Sequence, residues 1–164
     1  MKKWIVVGLI AVGVMYHSTL LRVPLIFQSA EAALADFYDS TDQAEDMLMD
    51  PLILAGPRVV PLVLEEVTSS TMPHRRYAIH FLGRYPAAIP TLKTILADEY
   101  EVEYIRRDAL ASLFNVDPTL GQDLAKRYVS RGGVLGETAT NIAAGHNPHW
   151  FERTYWQALT NVHH

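Results

Sequence analysis

His74-Arg75-Arg76-Tyr77-Ala78-Ile79-His80-Phe81-Leu82 returns further along the chain as Ile105-Arg106-Arg107-Asp108-Ala109-Leu110-Ala111-Ser112-Leu113. In both stretches two arginines open a helical run, and Ala78 and Leu82 correspond to Ala109 and Leu113. Ahead of each lies a start marked by proline, Val60-Pro61-Leu62 before the first and Ile89-Pro90-Thr91-Leu92 before the second. The offset is about thirty residues, a period that belongs to stacked helical hairpins rather than to one closed core. A hairpin of that size cannot bury its apolar face alone, so it stacks on its neighbours and needs atypical helices at the two ends.

The rest of the chain supports this all-α reading. Gly56-Pro57 is a helix stop followed by a start, because proline suits a first turn whose N–H has no partner. Val59, Val60, Val63, Leu64 and Val67 then recur at steps of three and four and predict one buried stripe. Ser69 to Pro73 reads as a turn. The next helix sets His74, Ala78, Leu82 and Tyr85 on one side. Ile89, Leu92, Ile95 and Leu96 mark the following helix, and Ile105, Ala109, Leu110 and Leu113 the one after. Asp117-Pro118 predicts an N-cap with proline at the first helical position. Leu120, Leu124 and Tyr128 form a stripe closed by Gly132-Gly133, and Leu135, Ala139, Ile142 and Ala143 form another closed by Gly145. Asn147-Pro148 is expected to cap a last helix with Phe151, Tyr155, Ala158, Leu159 and Val162 inward. Before these repeats, Ser29 to about Leu54 reads helical with a break near Asp39-Ser40-Thr41. Asp36, Asp39, Asp42, Asp46 and Asp50 recur at helical steps, which predicts a shared, solvated acidic face.

The units from Pro57 to Tyr85 and from Ala87 to about Val116 resemble HEAT-like repeats, most of all the short kind named after phycobilisome lyases. The motifs that carry the resemblance are Val60-Pro61-Leu62 and Ile89-Pro90 in the first helices, and the arginine-containing alanine-leucine stretches in the second helices. The resemblance implies a short right-handed α-solenoid with atypical capping helices. It implies protein binding, scaffolding or assembly help, and in one branch lyase chemistry on bilin pigments. It also implies a structural role for Arg75 and Arg106, each bonded to a turn and a carboxylate of the neighbouring unit. Asp98 stands where that acid is usually found. The unit from Asp117 onward departs from the pattern, with Gly121 where an apolar residue is expected and no arginine motif in its second helix.

Met1-Lys2-Lys3 precedes an apolar run from Trp4 to Leu21, closed by Arg22. A basic start before such a run is the pattern of a secretory signal or signal anchor. Its length just spans a bilayer. Small residues come late, at Ala30-Glu31-Ala32, which favours an uncleaved, single-pass anchor. The domain division expected is therefore residues 1–28 as anchor and 29–164 as repeat domain. Lys2 and Lys3 would stay cytoplasmic, which puts the repeats on the outer, periplasmic face of the inner membrane. The alternatives are secretion to the periplasm after cleavage, and a buried helix.

The chain has no cysteine, so disulfides, thiolate zinc sites and a cysteine nucleophile are excluded. Beyond Arg22 it carries eleven basic residues against eighteen acidic ones. A duplex nucleic-acid binder shows the opposite balance, so nucleic acid is not an expected partner. Glycine-rich phosphate loops, metalloprotease motifs and nucleophile turns are absent, and no catalytic residue or cofactor is expected. His146-Asn147-Pro148-His149 and His163-His164 have short spacing but read as exposed rings rather than as a metal site.

The candidate site is a partner-binding surface. Arg76, His80 and Arg84 lie at i, i+4 and i+8, a nearly straight row on one helix, and Arg107 holds the position equivalent to Arg76 one repeat on. Glu65, Glu66, Asp98, Glu99, Glu101 and Glu103 lie on the first helices and turns, so charge is segregated by face. Guanidinium groups grip carboxylate or phosphate with two parallel bonds, which makes an acidic peptide or a lipid headgroup a sensible ligand. The competing interpretation pairs these groups with acids inside the array. Trp150 and Trp156 fall off the last stripe and are added as interface candidates. The functional expectation is a non-catalytic adaptor, scaffold or assembly factor; a lyase-like or cofactor-handling enzyme and a purely structural spacer are the alternatives.

Overall fold

The computed structural model describes residues 23–41, 44–148 and 153–160. Among these residues every regular element is a helix: α1 Val23–Ile26, α2 Ala30–Tyr38, α3 Asp50–Ala55, α4 Val60–Glu66, α5 Arg75–Leu82, α6 Ile89–Ala97, α7 Glu103–Val116, α8 Pro118–Ala125, α9 Gly133–Ala143 and α10 Tyr155–Thr160. Short 3-10 turns at Glu45–Met47, Gly56–Val59 and Pro86–Ala88 link some of them. No helix among the described residues is long and apolar enough to cross a membrane. The expected anchor from Trp4 to Leu21 lies outside the described residues. The contacts form two compact units, Pro57–Glu152 in one, and Met1–Gly56 with Arg153–His164 in the other.

In the unit built from the two ends of the chain, α1, α2 and α10 pack on α3. Ser29 caps α2, its hydroxyl accepting from the Ala32 N–H at 3.1 Å. The helix ends at Tyr38, and the Ser40 hydroxyl folds back to donate to the Asp36 carbonyl at 2.6 Å. That break corrects the expected row of acids. Asp36 accepts from the Gln28 amide at 2.6 Å, Asp39 lies past the helix end, and Asp50 opens a separate helix in which all six residues are buried. Gly56, with φ 64°, then ends α3 in a conformation that a residue with a Cβ rarely adopts.

The last helix is also corrected. It starts at Tyr155 rather than after Asn147-Pro148. Thr154 and Gln157 form a reciprocal cap: the Gln157 N–H donates to the Thr154 hydroxyl at 3.2 Å, and the Thr154 N–H donates to the Gln157 side chain at 2.8 Å. Ala158 is its buried residue, while Tyr155 is exposed.

In the other unit α7 is the centre, and α5, α6, α8 and α9 all pack on it. Ile105, Arg106 and the whole run from Asp108 to Phe114 are buried, so α7 is enclosed nearly all round. Leu92, Leu96, Leu110 and Leu113 are fully buried, each contributing about 1.5–3 kcal/mol relative to exposure. Asp117 caps α8 as expected, accepting from the Leu120 N–H at 3.0 Å. Two helices approach α7 closely through glycine. A Cβ on Gly83 would stand 2.9 Å from the Ser112 Cβ, and one on Gly121 would overlap the Phe114 backbone. Gly121 is thus no defect in an apolar stripe; it lets the α8 backbone lie against α7. The Glu103 carboxylate accepts from the Leu135 N–H at 3.4 Å, placing negative charge at the start of α9 where the helix dipole favours it.

Arg75 and Arg106, one repeat apart, do the same job. Each buries its stem and donates Nε–H to a carbonyl at the end of the preceding helix, Arg75 to Val67 at 2.6 Å and Arg106 to Leu96 at 2.9 Å. Helix C-termini leave such carbonyls without an intrahelical partner. Arg75 also pairs with Glu101 at 2.6 Å, and the Arg106 guanidinium lies 5.7 Å from the Tyr128 ring centroid. The partner acid is therefore Glu101 and not Asp98, whose carboxylate accepts from the Tyr100 N–H inside its own turn.

Candidate partner-binding site

Asp108 has no exposed surface, although it sits in the middle of a helix. A carboxylate enclosed this way persists only if paired and hydrogen-bonded. The Arg76 Nε–H donates to its Oδ2 at 2.7 Å from the neighbouring helix α5. On the other oxygen, Arg107 donates from Nε at 2.9 Å and from a terminal nitrogen at 2.7 Å. His80 Nε2 stands 3.3 Å from Oδ2. Burial alone would raise the Asp108 pKa, but the His80 contact and the Arg107 guanidinium together hold it below the usual carboxylate value.

Three residues of the expected row are thus brought together, and one is not. Arg76, His80 and Arg107 converge on a single acid between α5 and α7. Arg84 lies past the end of α5 and is exposed. Trp156 is exposed on α10, in the other unit; Trp150 lies outside the described residues. His146 is exposed, His149, His163 and His164 lie outside the described residues, and no group of three or more metal-ligating side chains occurs among those described.

The convergence does not bury the arginines. The Arg76 side chain keeps 32 % of its surface exposed and Arg107 16 %, so both reach the surface while bonded to Asp108. Arg76 lines a cleft of about 490 Å³ between the turn at 70–74 and the segment 101–105. His74, at its rim, adopts a left-handed backbone (φ 51°, ψ 24°), a strained state for a residue with a Cβ. Val102 and Tyr104 bring exposed apolar surface to the same cleft, and Tyr100 beside them is fully exposed. Arg107 lines a second cleft, of about 220 Å³, with Val134, Glu137, Thr138, Asn141 and Pro148.

Two functional features escaped the reading of the sequence. Asp108 sits where the first repeat has Tyr77, and an acid replacing an aromatic residue directly after the arginine pair was the available signal. Tyr100, Val102 and Tyr104 are exposed around the start of α7, and their alternation with Glu101 and Glu103 carried no signal of that exposure.

No family model, no curated protein and no solved structure matches the chain. Two guanidinium groups are oriented by one buried carboxylate, and exposed Tyr104 lines the cleft that Arg76 reaches.

Proposed function

We propose that this protein is a non-catalytic adaptor, scaffold or assembly factor that binds a protein partner through the face shared by α5 and α7. The observation that carries this reading is Arg76: bonded to buried Asp108, still partly exposed, and lining a cleft flanked by Val102 and Tyr104. A side chain held in place before the partner arrives loses less freedom on binding. The equivalent bonds of Arg75 and Arg106 to preceding helix ends support reading Pro57–Glu152 as a short HEAT-like solenoid. The basic, apolar segment from Met1 to Arg22 supports a signal anchor, with the repeats displayed on the periplasmic face of the inner membrane.

The test is affinity capture from native membranes after brief crosslinking, with wild type beside an Arg76→Lys, Arg107→Lys variant, which keeps positive charge against buried Asp108. One partner near stoichiometric with wild type and lost in the variant, at unchanged helicity, is the expected result. Capture of nothing specific, or a coloured small molecule copurifying in place of a protein, would overturn the adaptor reading. A reporter fused after His164 reads the topology separately.

A further inference from the structure

We infer that Phe27 is a membrane seat: its ring enters the headgroup layer of the bilayer and holds the unit made from the two ends of the chain against the lipid surface. The inference rests on reading Trp4 to Leu21 as a signal anchor, and adds to it a contact made by the folded chain itself.

Arg22 closes the apolar run, yet Val23-Pro24-Leu25-Ile26-Phe27 returns at once to apolar residues. The fold covers this stretch only in part. α1 packs on α3, and Leu25 and Ile26 are partly buried, but Phe27 keeps 80 % of its surface exposed. A single exposed apolar side chain is ordinary on a protein surface. Its place in the chain is what gives this one meaning.

α1 begins at Val23, the residue after Arg22, and Phe27 follows its last residue. Four helical residues advance a chain by only about 6 Å. The headgroup layer on one side of a bilayer is about 5–8 Å thick. A chain that leaves the hydrocarbon at Leu21 therefore still has Phe27 within reach of lipid, whichever way α1 points. Apolar side chains of interfacial segments bury about 5–10 Å into the boundary between headgroups and acyl chains. The anchor already holds the chain at the membrane, so the ring needs no affinity of its own; its contact is intramolecular in effect and fixes orientation. Because α1 packs on α3, the seat orients α3 directly.

The contact is apolar rather than electrostatic. From Val23 to Gly56 the chain has no lysine or arginine, and its acids begin at Glu31, in the first turn of α2. Anionic headgroups attract basic segments and repel one of this composition. Glu31 is exposed and only four residues beyond Phe27. The two mark an edge, with the ring in lipid and the carboxylate in water.

The test is photocrosslinking of the full-length protein in native membranes, with the photoreactive phenylalanine analogue p-benzoylphenylalanine in place of Phe27 or, for comparison, of Glu31, at unchanged circular dichroism. The expected result is a protein that gains the mass of one phospholipid when the analogue is at 27 and loses that adduct when it is at 31. A crosslinked dimer would assign the ring to a second copy of the chain, a larger adduct to another protein, and no adduct to water; each overturns the seat. Equal lipid adducts at both positions overturn it too, since nearness to the anchor would then explain them without insertion of the ring. Alkaline extraction of the same membranes separates this inference from the one beneath it. A protein released by alkali has no anchor, and the seat falls with it. A protein that is retained but forms no lipid adduct at 27 sinks the seat and leaves the anchor standing.

Discussion

Arg153 donates to both carboxylate oxygens of Asp50, which precedes it by 103 residues, and neither side chain reaches solvent. The pair ties the segment leading into α10 to the first turn of α3, within the unit made from the two ends of the chain. A third bond, from Arg153 to the Gln157 carbonyl at 3.4 Å, holds the guanidinium against α10 itself.

Removing one partner of this pair leaves the other charge buried and uncompensated. Asp50→Asn should destabilise the protein by about 3–5 kcal/mol, whereas an Asp50→Leu, Arg153→Met double variant should recover most of the loss. Urea unfolding followed by circular dichroism measures both. A single variant as stable as wild type would show that water reaches the pair.

Gly121 inverts the usual rule for glycine in a helix. Replacement by alanine ordinarily stabilises a helix interior, by about 0.5–1 kcal/mol. Here the new Cβ would meet the Phe114 backbone, which cannot swing aside as a side-chain tip can. Gly121→Ala should therefore cost about 1–3 kcal/mol, the range for overpacking. Thermal melts of the two proteins give the sign directly.

Asp108 makes stability depend on acid. Its folded pKa is held below the ordinary carboxylate value, so the unfolded chain takes up the proton first as the pH falls. The stabilisation is complete above the unfolded value, about 4, and is lost as the pH drops through the lower folded value. Melting temperature should fall below about pH 4 in wild type, and Asp108→Asn should show a lower melting temperature at neutral pH with a weaker acid dependence. Melts from pH 2.5 to 7 compare the two slopes; parallel curves would remove Asp108 from the account.

Arg106 serves a carbonyl as much as a charge. Arg106→Met keeps the length and apolar stem but leaves the Leu96 carbonyl without its donor, at a cost of about 1–3 kcal/mol. Hydrogen exchange should then rise at the C-terminal end of α6 before it rises in α7. Uniform acceleration through both helices would place the role of Arg106 in global packing instead.

The helices of the repeat region were legible because their determinants are local. Apolar steps of three and four, Pro61, Pro90 and Pro118 in first turns, and the Asp117 cap each act within one or two turns of chain. The helix of residues 30–38 was found, but the acidic face does not run on from Asp36 to Asp39 and Asp50; Asp42 lies outside the described residues. A row of aspartates has helical spacing whether or not the chain between them is helical, and the break after Tyr38 ends the relation. The start of α10 was missed because Asn147-Pro148 is a stronger cap signal by residue type than Thr154 with Gln157, although the second is the one that forms hydrogen bonds.

What the sequence determined by itself was the helical class, the periodic pair of arginines and the choice of Arg76, His80 and Arg107 as residues of interest. Only the tertiary structure decided what these side chains do. Arg75 and Arg76 are adjacent in sequence, yet one bonds to the end of α4 and the other to a buried acid on α7, because successive helical residues point about a hundred degrees apart. The partner of Arg76 is an acid in the next repeat, and the partner of Arg153 lies 103 residues earlier in the chain. Periodicity reports which face of a helix is buried. It carries no information about which charge on another helix will be packed against that face, since that depends on how the helices cross and approach.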